Sequence, residues 1–148
     1  MIESIEQLNE ILDYIGQNLP RSCDVYLIGG CALMMHGLKD GTKDIDICTN
    51  PENTNFLVSA MRNADKTWTC NIGQDQFLFI KIFLKEHITL ELFMNNEYKL
   101  LEEYKSTTFH HNNLIVKVPD VKGLLLLKDR QLKALLRETK KYRKEDDE

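Results

Sequence analysis

The run Asp44-Ile45-Asp46-Ile47-Cys48 constrains this chain more than any other stretch of it. Charged and apolar residues alternate strictly, which is the period of a strand. Asp44 and Asp46 therefore share one face, and Ile45 and Ile47 the other. The isoleucines need a core to cover them. The two carboxylates are like charges at short range, and a shared cation is their natural partner. A solvated strand face is the plainer alternative.

The surrounding chain supplies elements to pack against that strand. Ser4 reads as the N-cap of a helix whose apolar residues Ile5, Leu8, Ile11, Leu12, Ile15 and Leu19 recur at helical spacing until Pro20. Asp24 to Ile28 is a short apolar run entering Gly29–Gly30, as a buried strand entering a tight turn does. Cys31 to His36 predicts a helix capped by Gly37, and Lys39 to Lys43 a loop. A helix is expected from Pro51 to about Asn63, then strands at Gln76–Leu84 and Ile88–Phe93 joined by a hairpin at Lys85–His87. Leu114–Val118 reads as another strand. Pro119 is expected in the first turn of a long helix over about 119–143, where its missing N–H does no harm. No repeat or low-complexity linker divides the sequence. The expectation is one α+β domain over residues 1–148.

Composition narrows the class of function. With 43% hydrophobic and 28% charged residues the chain is neither disordered nor fibrous. A net charge of −4 argues against broad, charge-driven binding of nucleic acid. The local basic run Arg137, Lys140, Lys141, Arg143 and Lys144 leaves RNA open as a partner, although Glu145 to Glu148 cancel much of its field. The four cysteines form no C-x-x-C pair, which fits small apolar residues in a reducing compartment better than a zinc site or a disulfide framework. The first residues are polar and acidic, and no apolar run approaches the length of a membrane span. The chain is expected to be soluble and cytoplasmic.

Two further features bear on chemistry. Glycines at Gly29–Gly30 let a ligand approach the backbone, and a helix that follows such a turn offers free N–H groups to a phosphate. Glu91 is an acid inside the apolar run Ile88–Phe93, and a carboxylate in such a place needs a partner, which a metal would supply. An exposed position on an edge strand would also account for it.

Glycine turn, paired aspartates and a third acid follow one another in that order. The segment Leu27–Ile47 (LIGGCALMMHGLKDGTKDIDI) resembles the DNA polymerase beta-like nucleotidyltransferase superfamily. Its Thr-Lys-Asp-Ile-Asp-Ile run is similar to the small prokaryotic branches related to AbiEii-type toxins. The resemblance covers Asp24 to about Phe93. It implies a nucleotidyltransferase fold, a small mixed β-sheet flanked by helices. It also implies transfer of a nucleoside monophosphate from a nucleoside triphosphate such as ATP to a hydroxyl, with release of pyrophosphate. Asp44, Asp46 and Glu91 would be the catalytic and metal-binding acids, holding two Mg²⁺ ions or Mn²⁺ in their place, with Glu91 also serving as base. Gly29, Gly30 and the Cys31 amide would cradle the triphosphate. Lys43, Lys39 or Lys128 would supply a cation to it, with Lys128 preferred and Arg130 a weaker choice. Two positions depart from the family pattern. Gly30 stands where a serine would offer a hydroxyl to a phosphate, and Glu91 stands where aspartate is more usual. The resemblance also allows a nucleotide-binding or toxin–antitoxin-type regulatory module, working beside a partner chain held by the first helix or the last.

Overall fold

The computed structural model describes residues 1–64, 70–72, 79–83, 89–93 and 97–129. Its elements are α1 (Ile5–Gln17), β1 (Cys23–Ile28), α2 (Gly29–Met35), β2 (Asp44–Cys48), α3 (Pro51–Ala64), β3 (Cys70–Ile72), β4 (Phe79–Phe83), β5 (Thr89–Phe93), α4 (Glu97–Leu101), β6 (Ser106–His111) and β7 (Leu114–Pro119). A last helix, α5, occupies residues 121–129. The seven strands form one sheet in the order β3-β4-β5-β2-β1-β7-β6. It is mixed: β2 lies antiparallel to β1 and parallel to β5, and β7 lies parallel to β1.

Alternation decides which face is covered. Ile45 and Ile47 are fully buried and stand beside Leu27 and Leu90 across the ladder. Val25 and Val116 continue the same apolar face through β1 and β7. Leu8, Leu12 and Ile15 of α1 and Leu57 and Met61 of α3 join that core with no exposed surface. Each such side chain contributes about 1.5–3 kcal/mol by leaving water. No helix among the described residues is long and apolar enough to cross a membrane.

Caps account for several of the helix boundaries. Ser4 accepts a hydrogen bond from the Gln7 N–H at 3.1 Å, as expected of an N-cap. Asn18, not Pro20, ends α1, with its N–H donating to the Ile15 carbonyl at 3.1 Å. Gly37 follows α2 with φ of 72°, its N–H bonded to Met34 O and that of Leu38 to Leu33 O, the paired closure of a glycine C-cap.

Several elements differ from the sequence expectation. Helix α2 begins at Gly29 and takes both glycines into its first turn. Pro119 ends β7 opposite Ser106 and does not open the last helix. Asp120 caps that helix, because a carboxylate can accept a first-turn N–H and a proline ring cannot: Oδ1 accepts from Gly123 at 2.9 Å. Strands β3 and β6 and helix α4 were not anticipated. The Lys85–His87 hairpin and the 130–143 part of the expected helix lie outside the described residues.

Cys23, Cys31 and Cys48 are buried free thiols, as their spacing suggested. His111 serves structure: its Nδ1 lies 2.8 Å from Asp13 Oδ1, tying β6 to α1.

Candidate active site

The site grows out of the junction between β1 and α2. Ile28 is still extended, with φ of −126°, and the chain then reverses at Gly29 with φ of 62°. A residue with a side chain is strained there. The helix that follows has no side-chain cap at Ile28. The N–H groups of Gly29, Gly30 and Cys31 fall in its first turn, where the helix itself offers no acceptors.

β2 passes directly beside this turn, with Asp46 in register with Ile28. A Cβ on Gly29 would collide with Asp46 Oδ2 and come within 3.1 Å of its Cγ. Glycine at 29 therefore does two things: it permits the reversal, and it vacates the space the Asp46 carboxylate occupies. Asp44 and Asp46 are both half-buried, and Ile45 and Ile47 between and beyond them are fully buried, so the alternation expected of this strand is realised.

On the other side of β2 the parallel register sets Asp46 against Glu91 and Asp44 against Thr89. Neighbouring strands lie about 4.8 Å apart. A row thus crosses the sheet from Ile28 through Asp46 and Glu91 to Lys81, the register partner of Glu91 on β4. The topology brings the third acid to the position beside Asp46. The side chain of Glu91 lies outside the described residues. Among the described residues no group of three His, Cys, Asp or Glu side chains gathers as a metal site.

Cys31 is a packing residue of this region. Its thiol donates to the Asp44 carbonyl at 3.4 Å and pins α2 to β2. Burial, reinforced by the negative charge of Asp46, pushes the thiol up to about 12, with Lys39 opposing. It stays protonated and is no nucleophile at neutral pH.

A pocket of about 260 Å³ opens beside the turn. Gly29, Gly30 and Leu33 form one wall, Leu124, Leu127 and Lys128 of α5 the facing one, and Lys39 reaches in from the loop. Two of the lysines considered from sequence therefore meet at the glycine turn. Lys43 does not: it is exposed and absent from the lining. Thr42, which opens the Thr-Lys-Asp-Ile-Asp-Ile run but was given no role of its own from sequence, stands over Gly30. A smaller, polar pocket of about 140 Å³ lies around Asp24, Tyr26 and Lys117, toward the other end of β1.

No protein-family model and no curated protein matches the sequence. Among solved structures, a provisionally assigned nucleotidyltransferase of Thermotoga maritima superposes with a TM-score of 0.68 over 94% of this chain and 93% of its own, at 13% identity. The chain has a nucleotidyltransferase fold. Two weaker likenesses are to CCA-adding enzymes. One is the Thermotoga maritima enzyme complexed with tRNA (21% identity, TM-score 0.44, 78% of this chain). The other is a CCA-adding enzyme in complex with ATP (20% identity, TM-score 0.43, 81% of this chain). This chain spans only 27% and 28% of their lengths. At 13% identity the first of these likenesses speaks to fold alone.

Proposed function

We propose that this protein is a Mg²⁺-dependent nucleotidyltransferase that moves a nucleoside monophosphate from a nucleoside triphosphate to a hydroxyl acceptor. The observation that carries the reading is the fit between Gly29 and Asp46. A left-handed glycine leaves room for one carboxylate of a pair, and the same glycine turn lines a pocket that two lysines also line. Two acids on one strand face at that place form an oxygen donor set suited to a hard cation.

In this reading Asp44 and Asp46 hold Mg²⁺, and Glu91, whose register position adjoins Asp46, completes the set. Bound Mg²⁺ supplies charge neutralisation for the triphosphate and lowers the pKa of the acceptor hydroxyl. The backbone N–H groups of Gly29, Gly30 and Cys31 and the ammonium groups of Lys39 and Lys128 bind the β- and γ-phosphates. Leu33, Leu124 and Leu127 keep water from that end of the pocket. Glu91 takes the proton of the acceptor hydroxyl. The hydroxyl oxygen forms its bond to the α-phosphorus as the bond to the bridging α,β-oxygen breaks, and pyrophosphate leaves with the electron pair.

The test is thermal stabilisation by ATP with Mg²⁺, because a ligand that binds only the folded state must raise its melting temperature. The shift should appear in the wild type and vanish in the Asp44→Asn, Asp46→Asn double variant. An equal shift in both would remove the metal assignment. One observation favours a second reading, a nucleotide-binding module without turnover of the kind a toxin–antitoxin pair would use. Lys81 stands in register with Glu91, and a cross-strand ion pair is a competing use of that acid. Stabilisation by Mg²⁺–ATP without label transfer to protein, RNA or small molecules would decide for the module.

A further inference from the structure

The space over Gly30 is already filled. A Cβ built there would overlap Thr42 Oγ1 and would lie 3.0 Å from Thr42 Cβ and 3.2 Å from Lys39 Nζ. Both side chains come from the loop between α2 and β2. The backbone of Thr42 is locked by a two-way bridge to Ile2, with N–H···O distances of 2.8 and 2.9 Å. Thr42 as a whole is only 9% exposed, and no described residue accepts a hydrogen bond from its hydroxyl. Thr42 is therefore a fixed, uncommitted hydroxyl, set against the bare backbone of Gly30 and beside an ammonium that lines the pocket.

A hydroxyl donor, a cation and a backbone without a side chain converge here. That combination suits the oxygen of a phosphate. The geometry points to Thr42 and Lys39 as phosphate-contacting residues, which supply from the loop the hydroxyl that position 30 lacks. The inference rests on the nucleotide-binding reading of the pocket and names the side chains that grip the triphosphate. It has an unexpected corollary. Restoring a serine at position 30 harms the site, because its Cβ enters space that Thr42 holds, whereas moving the hydroxyl from 42 to 30 preserves it.

Calorimetric titration at fixed Mg²⁺ with two probes, ATP and inorganic tripolyphosphate, tests this. Melting temperatures without ligand report folding. Thr42→Val, which keeps the shape and removes the hydroxyl, should weaken both probes by roughly ten- to a hundredfold, the usual effect of losing a hydrogen bond to a charged group. Thr42→Ser should bind like the wild type, and Lys39→Met should weaken both probes. Gly30→Ser alone should weaken binding, and Gly30→Ser with Thr42→Ala should recover it to within about threefold of wild type. Unchanged affinity for tripolyphosphate in Thr42→Val, with wild type binding both probes, overturns this inference and leaves the nucleotide reading standing. So does normal binding by Gly30→Ser alone. Wild type that binds neither probe overturns the nucleotide reading and this inference together. If Thr42→Val does not fold, the paired swap decides: failure of Gly30→Ser/Thr42→Ala to regain affinity while folded refutes the proposal.

Discussion

Two glycines share a left-handed backbone and differ in what surrounds them, which makes a controlled comparison. Gly29 has φ of 62° and Gly37 has φ of 72°. A Cβ at Gly37 would meet nothing within 4 Å, whereas one at Gly29 would strike Asp46 Oδ2. Gly37→Ala therefore isolates the backbone cost, about 1–2 kcal/mol for an L-residue in the left-handed region. Gly29→Ala carries that cost and must also displace a half-buried carboxylate or shift β1 from β2. Overpacking of this kind adds about 1–3 kcal/mol, giving roughly 2–5 kcal/mol in all. Urea denaturation with unchanged m-values would read both numbers. The functional readout separates them further. At ATP near a hundred times its Kd the wild type should gain about 2.7 kcal/mol. Gly37→Ala should keep that gain, because its Cβ lies in open space. Gly29→Ala should lose most of it, because the carboxylate that moves is the proposed metal ligand. The reasoning is refuted if the two variants are equally stable, or if Gly29→Ala keeps the full Mg²⁺–ATP stabilisation.

The raised thiol of Cys31 makes stability depend on alkaline pH. Its folded value of about 12 lies above the ordinary thiol value of 9.0, so its contribution is complete below about pH 9 and is lost as pH climbs toward 12. Cys23, raised to about 11 chiefly by burial, acts in the same direction. Urea midpoints between pH 7.5 and 10.5 should fall in the wild type and fall less steeply in Cys31→Ala; parallel curves would show that Cys31 does not contribute. Ser4→Ala should cost about 1 kcal/mol by leaving the Gln7 N–H without its cap, read as a drop of about 2–4 °C in melting temperature. Glu91→Gln should reduce nucleotide transfer by on the order of a hundredfold or more while leaving triphosphate binding largely intact, and Glu91→Asp should keep activity. Transfer by Glu91→Gln at the wild-type rate would mean that the third acid is another residue.

What the sequence made legible follows from where burial leaves a pattern. β2 was readable because Ile45 and Ile47 go fully into the core while Asp44 and Asp46 stay half-buried on the other face. β7 was readable for the same reason, with Leu114, Val116 and Val118 buried. β6 was not. It is an edge strand with Ser106, Thr107 and Thr108 exposed, held by its backbone ladder to β7, and backbone pairing leaves no mark on side-chain order. Its turn did carry a sign in Asn112, whose φ of 55° suits asparagine. At the site, the order of glycines and acids was visible along the chain. The fold supplied what order could not: Asp46 beside Ile28, Lys39 and Lys128 meeting across one pocket, and Lys43 outside it. These are juxtapositions of residues distant in sequence, and no local period encodes them.

The strand order also fixes a sequence of events in time. β1 is flanked by β2, its near neighbour along the chain, and by β7, which lies across most of the chain from it. The turn at Gly29 and the aspartate strand therefore close on each other through a short excursion, while α5 can take its place only after β7 has docked. Pairings between distant segments form slowly. On a ribosome adding about 5–20 residues per second, Asp46 is made on the order of ten seconds before Lys128. A nascent chain in that interval carries its acid pair and glycine turn without the leucine wall opposite, so the proposed metal ligands can come together early, while the proposed triphosphate pocket is complete only once the chain is made through α5.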